Sequence, residues 1–233
     1  MTDAPFLLVI AGPNGSGKST LTKSLLDAGV DFGTYINPDE IAQDLDLPEP
    51  QRSQQAQAIA DFRRDTCLQR RMSFSFETVM SHQSKIEVML RAYDLGYDVA
   101  LYFVATSDPE INVRRVENRV ALGGHDVPHD RIRARYFRAL NFLAHAALVA
   151  RRTVVFDNSA LVGESTHANL VNTKSGLRPV AEVICTENHY HIRLENDVPG
   201  WVFEYLVTPM DLVARASEGR ITGTLQQGDG SLA

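Results

Sequence analysis

Residues Gly12-Pro13-Asn14-Gly15-Ser16-Gly17-Lys18-Ser19, with Thr20 behind them, constrain this chain more than any other stretch. They spell G-x-x-x-x-G-K-[ST]. Backbone N–H groups can wrap an anion closely only where side chains do not block the approach, and glycines at 12, 15 and 17 permit such a tight, partly left-handed turn. The run before it, Phe6-Leu7-Leu8-Val9-Ile10, is of the buried parallel-strand type. The segment after it has apolar residues at 21, 25 and 26 and reads as a helix ending near Gly29. Strand, glycine-rich turn and helix set the anion on a helix N-terminus, where the backbone dipole favours it. Lys18 is then placed to reach the β- and γ-phosphates of a nucleoside triphosphate, and the Ser19 hydroxyl to ligate Mg²⁺. The loop alone does not separate a kinase from a GTPase or a transport ATPase.

The rest of the first two thirds alternates strands with helices. Strands are expected at 34–37, 74–76, 99–104 and 153–157, with helices from Asp39, over 51–72, over 82–95, from Asp108-Pro109 to about 121, and over 130–149. Asp108 before Pro109 has the form of an N-cap with proline in the first turn. The pattern predicts an α/β fold, a P-loop NTPase/kinase-like parallel sheet flanked by helices. Beyond Ser159 the texture changes. Residues 179–184 and 189–193 read as a small C-terminal β-hairpin extension, 201–205 as a further short element, and 226–233 as a disordered tail. The expected organisation is a P-loop core over 1–159 with a lid at about 119–135, an extension over 160–225, and the tail.

The 233 residues carry a net charge of −6, which disfavours a broad nucleic-acid surface. No apolar run approaches membrane-spanning length, and the N-terminus lacks the basic n-region of a signal peptide. Cys67 and Cys185 stand far apart, as free thiols of a reducing cytosol would. Against the acidic whole, Arg114, Arg115, Arg119, Arg131, Arg133, Arg135 and Arg138 cluster, which suggests a phosphate site.

Ligands of such sheets bind outside the C-terminal ends of the strands. Asp39 falls at one such end, 21 residues after Lys18, where a carboxylate can orient or deprotonate a substrate hydroxyl; it can equally cap the helix it opens. Glu77 and Thr78 end another strand and are candidates for acceptor binding. Arg119, the hinge-like Gly123-Gly124 and Arg135 have the layout of a lid that closes guanidinium groups onto the γ-phosphate. His125 and His129 within it read as loop contacts. A nucleotide-binding ATPase or regulatory module acting through a protein partner is the competing function. It is disfavoured because no hydrophobic strand ends in a Walker B aspartate and no ABC-type signature is present.

Taken together, Ala11–Thr20, Ile36–Ala42, Phe74–Thr78, Arg119–Pro128 with Ile132–Tyr136, and Phe156–Ser159 resemble the zeta toxin family of P-loop kinases, over about residues 6–160. The resemblance implies an ATP-dependent, Mg²⁺-dependent kinase acting on a small molecule in the cytoplasm. It makes a UDP-amino sugar such as UDP-N-acetylglucosamine a candidate acceptor and an antitoxin-like protein a candidate partner. It implies that Gly12 to Thr20 bind ATP, Lys18 grips phosphate and Ser19 holds Mg²⁺. It casts Asp39 as the base, Glu77 and Thr78 as acceptor contacts, and Arg119 and Arg135 as the clamp on the transferring phosphate.

Overall fold

The computed structural model describes residues 4–123, 127–160 and 176–227. The calls on Gly124, His125, residues 161–175 and residues 228–233 lie outside them.

The first two thirds of the chain builds the core around the phosphate loop. β1 (Phe6–Ala11) leads through the loop into α1 (Lys18–Asp27), followed by β2 (Thr34–Ile36), α2 (Pro38–Gln43), α3 (Gln51–Arg70), β3 (Phe74–Thr78), α4 (Ser84–Asp94), β4 (Asp98–Ala105), α5 (Pro109–Ala121), α6 (His129–Val149) and β5 (Arg152–Asp157). The C-terminal part adds β6 (Arg178–Cys185), β7 (His189–Leu194), a helical run over 200–216, and β8 (Thr222–Gln227). The strands form a single eight-stranded sheet in the order β2-β3-β1-β4-β5-β6-β7-β8. Its first five strands are mutually parallel; β6 runs antiparallel to β5, β7 antiparallel to β6, and β8 parallel to β7.

β1 lies between β3 and β4 and is buried on both faces, which explains its unbroken apolar run. Leu7, Val9 and Ala11 face the larger core, shared with α3, α4 and α6. Leu8 and Ile10 face a smaller core with Leu21 and Leu25 of α1. The caps follow the sequence: the Asp108 side chain accepts from the Glu110 N–H at 2.8 Å, with Pro109 opening α5.

Two expectations are corrected. The helix α2 is capped by Asn37, whose Oδ1 accepts from the Asp39 N–H at 3.0 Å, so Asp39 lies inside the first turn and is not its cap. The expected C-terminal hairpin is present as β6 and β7, and β6 pairs directly with β5, so the hairpin continues the main sheet. Gln226 and Gln227 are strand residues paired with Arg193 and Leu194, so the expected disorder does not begin at 226. Trp201 starts a helical run, a short α-helix passing through a π-turn at Phe203–Val207 into the helix Thr208–Ala216. Pro209 has no N–H to donate there, which favours a locally irregular ladder.

Candidate active site

The phosphate loop is pinned from two sides. Asn112 of α5 is fully buried; its Nδ2 donates to the Asn14 carbonyl at 2.6 Å and its Oδ1 accepts from the Thr106 hydroxyl. Asn158, just past β5, donates through Nδ2 to the Ser16 carbonyl at 2.7 Å. Two glycines are required by this closeness. A Cβ on Gly12 (φ +146°) would lie 2.0 Å from the Val104 carbonyl oxygen, and one on Gly17 (φ +104°) would lie 2.4 Å from Asn158 Nδ2. The backbone is therefore shaped for an anion, and its chemistry fits the triphosphate of ATP.

Lys18 Nζ donates to the carbonyls of Gly12 and Pro13, each at 3.0 Å. Burial pulls its pKa below the ordinary lysine value. Glu77 and then Asp39 act against that, and Arg119 and Arg135 add to it. These influences put Asp39, Glu77, Arg119 and Arg135 around one ammonium group. All four line a cleft of about 1500 Å³ together with Lys18, Ser19 and Thr78. Drug-sized sites hold roughly 300–1,000 Å³, so there is room for a nucleotide and a second substrate.

Glu77 accepts from Ser19 Oγ at 3.2 Å, Thr22 Oγ1 at 2.6 Å and Tyr35 OH at 2.9 Å. It ends a strand that is adjacent and parallel to β1 and whose Phe74, Ser75 and Phe76 are buried. Glu77 thus stands beside Ser19, on the strand next to the one that leads into the phosphate loop. The same strand end holds the loop: Gly12 N–H donates to the Thr78 carbonyl at 3.2 Å, while Thr78 Oγ1 accepts from Met80 N–H at 3.0 Å. The exposed Asp39 carboxylate has no hydrogen-bond or ion-pair partner among the described residues and lines the cleft. No group of three or more His, Cys, Asp or Glu side chains that could hold a metal by itself occurs among the described residues. A Mg²⁺ ion would therefore be held by the Ser19 hydroxyl, Glu77 and the nucleotide's own oxygens.

The arginine cluster divides in two. Arg115, Arg119, Arg131 and Arg135 line the cleft. Burial, with Arg131 and Arg138 beside it, lowers the pKa of Arg135. Arg133 instead turns to Glu110, with bonds of 2.6 and 2.9 Å, and Arg138 donates to the Ala134 carbonyl. His129 pairs with Glu117 at 3.1 Å, a loop-end contact. Sequence reading placed Arg115 in the arginine cluster but gave it no role of its own; its Nη1 is buried without a hydrogen-bond partner among the described residues. It did miss Arg64 and Lys85, which also line the cleft. A signal for Arg64 was present. Buried positions 56, 60, 64, 67 and 68 of α3 fall at helical spacing, so an arginine stands on an otherwise apolar stripe.

Among the described residues no helix is long and apolar enough to cross a membrane. A family model described as Zeta toxin matches residues 2–166. An uncharacterized protein of Haemophilus influenzae (strain Rd) is 32% identical over 128 residues, covering 54% of this chain and 88% of the relative. Among solved structures, the AvrRxo1-ORF1:-ORF2 complex with ATP shares the fold at a TM-score of 0.57 and 16% identity, covering 77% of this chain and 58% of that one. The PezAT chromosomal toxin–antitoxin system of Streptococcus pneumoniae does so at 0.50 and 14%, covering 94% and 86%. The matched family model runs through the phosphate loop, Asp39, Glu77, Arg119 and Arg135 and takes in well over half of the chain, so this protein belongs to the zeta toxin family and is an ATP-dependent kinase.

Proposed function

We propose that the chain transfers the γ-phosphoryl group of ATP to a hydroxyl of a small metabolite, and that a UDP-amino sugar such as UDP-N-acetylglucosamine is the first acceptor to try. The convergence of Lys18, Asp39, Glu77, Arg119 and Arg135 on one cleft carries this reading. The loop N–H groups and Lys18 bind the triphosphate. Arg119 and Arg135 receive the charge that spreads over the transferring group. Asp39, with its carboxylate unengaged by hydrogen bonds among the described residues, accepts the proton as the acceptor oxygen bonds to phosphorus and the bond to the β-phosphate oxygen breaks. Mg²⁺, when bound, supplies charge neutralisation at the phosphates. Glu77 orients the Ser19 hydroxyl for it, which moves Glu77 from the acceptor side of the site to the metal side; Thr78 remains an acceptor contact.

PezAT is described as a toxin–antitoxin system and AvrRxo1-ORF1 is paired with AvrRxo1-ORF2. On that ground an antitoxin-like protein is the partner expected for this chain, with the cytoplasm as its place of action. The test is phosphoryl transfer from γ-labelled ATP to UDP-N-acetylglucosamine and to a panel of other hydroxyl metabolites, wild type against Asp39→Asn. Transfer should fall about 10²-fold or more in the variant while ATP affinity holds. Equal turnover by both proteins, or ATP consumption without a phosphorylated product, overturns the reading.

A further inference from the structure

Asp39, the proposed base, is carried by a lightly built part of the molecule. It lies in α2, a helix of 6 residues, directly after β2, a strand of 3 residues at the edge of the sheet. A helix that short does not hold its shape by itself. The Asp39 carboxylate has no hydrogen-bond or ion-pair partner among the described residues, so its place is set through its backbone. The Asp39 N–H has only a proton to give, so the Asn37 amide must turn Oδ1 toward it, at 3.0 Å. Nδ2 of Asn37 is then left to donate to the Tyr35 hydroxyl at 3.1 Å, with Glu40 more distant at 3.5 Å. Tyr35 in turn donates its own proton to Glu77 Oε1 at 2.9 Å. Its ring is held edge-on to Phe32, with centroids 5.7 Å apart, and its backbone pairs with Ser75 on the strand that ends in Glu77. Glu77 also accepts from Ser19 Oγ at 3.2 Å. A directed run of hydrogen bonds therefore joins the helix that bears the base to the helix that leaves the phosphate loop.

We infer that Tyr35 and Asn37 are positioning residues for phosphoryl transfer, a link that holds Asp39 in register with Glu77 and so sets the base against the metal side of the triphosphate. The inference rests on the kinase reading. Both residues act through Asp39. A displacement of about 1 Å costs roughly 10²-fold in rate where reacting groups must align, so slackening this link lowers kcat and leaves nucleotide binding, which the loop provides, in place.

The test uses the full chain, γ-labelled ATP, Mg²⁺ and UDP-N-acetylglucosamine. Phosphorylated product and inorganic phosphate are both counted, so a rate is read whether the sugar nucleotide or water takes the group. Tyr35→Phe removes only the hydroxyl. Asn37→Ser keeps a cap that accepts from the Asp39 N–H but is too short to reach Tyr35. Each should lower kcat about tenfold with the ATP KM unchanged. The double variant should lose no more than either single one, because both cut the same link. In an Asp39→Asn background, Tyr35→Phe should change kcat by less than about twofold. Hydrogen exchange over residues 37–43 should speed up in Tyr35→Phe. Wild-type kcat in Tyr35→Phe, or a full tenfold loss in the Asp39→Asn background, overturns the link to the base. So does recovery of Tyr35→Phe at high Mg²⁺, which would place its action at the metal alone. Failure of the kinase reading is separate: it shows as absent turnover by the wild type, and exchange over 37–43 then decides the link, an unchanged rate overturning it.

Discussion

Glu77 holds the hydroxyls of Ser19, Thr22 and Tyr35 at once, within the four lone-pair positions of a carboxylate. Burial and the Glu77 charge push the Tyr35 phenol well above its ordinary pKa, so it stays a donor at any working pH. From sequence, Glu77 at the end of Phe74-Ser75-Phe76 reads as an acceptor contact. The 3.2 Å contact with Ser19 Oγ supports the proposed place on the metal side. Glu77→Gln puts an amide, itself a donor, where three hydroxyls donate. The expected outcome is a rise of about tenfold or more in the Mg²⁺ concentration needed for half-maximal transfer, with the acceptor KM unchanged. A raised acceptor KM at unchanged Mg²⁺ dependence would return Glu77 to the acceptor.

The phosphate loop has its shape because neighbouring elements hold it, and α5 is the clearest case. Asn112 lies on the buried stripe of α5 with Val113 and Val116, and spends its amide on the Asn14 carbonyl and the Thr106 hydroxyl. Asn112→Ala leaves both without that partner. The expected cost is about 1–3 kcal/mol in thermal unfolding, together with weaker nucleotide binding, because the loop and α5 are joined at this amide. A variant of unchanged stability that binds ATP normally would show that the loop holds its own shape. Elements as far as β5 were legible because both signals, two-sided burial of β1 and capping by Asp108-Pro109, are local. Later ones were not. β8 is exposed at every position, so it carries no alternation to read, and its pairing is set by β7. The helical run over 200–216 is broken by its π-turn and Pro209, which hides its period. Arg64 and Lys85 lie on different helices, and only the fold brings them to one wall.

At the scale of the molecule, the sequence divides near residue 160 while the sheet does not. β6 takes up the free edge of β5 from Arg152 to Asp157. The C-terminal residues Val180, Val183, Ile192, Trp201, Val202, Leu206 and Met210 are all buried in the same core as Val155 and the apolar face of α6. Trp201 also donates through Nε1 to Asp157 at 3.2 Å, and Asp157 holds Ser159 next to the loop-binding Asn158. Each such side chain stabilises by about 1.5–3 kcal/mol, so the group is comparable with the ~5–15 kcal/mol net stability of a whole domain. Its loss would leave an open strand edge beside an uncovered apolar helix. Residues 1–160 expressed alone should therefore aggregate or lack a cooperative thermal transition, although every proposed catalytic side chain is present, whereas the full chain unfolds cooperatively. A soluble 1–160 fragment that binds ATP with full-chain affinity would mean that the C-terminal strands only extend a core already complete without them.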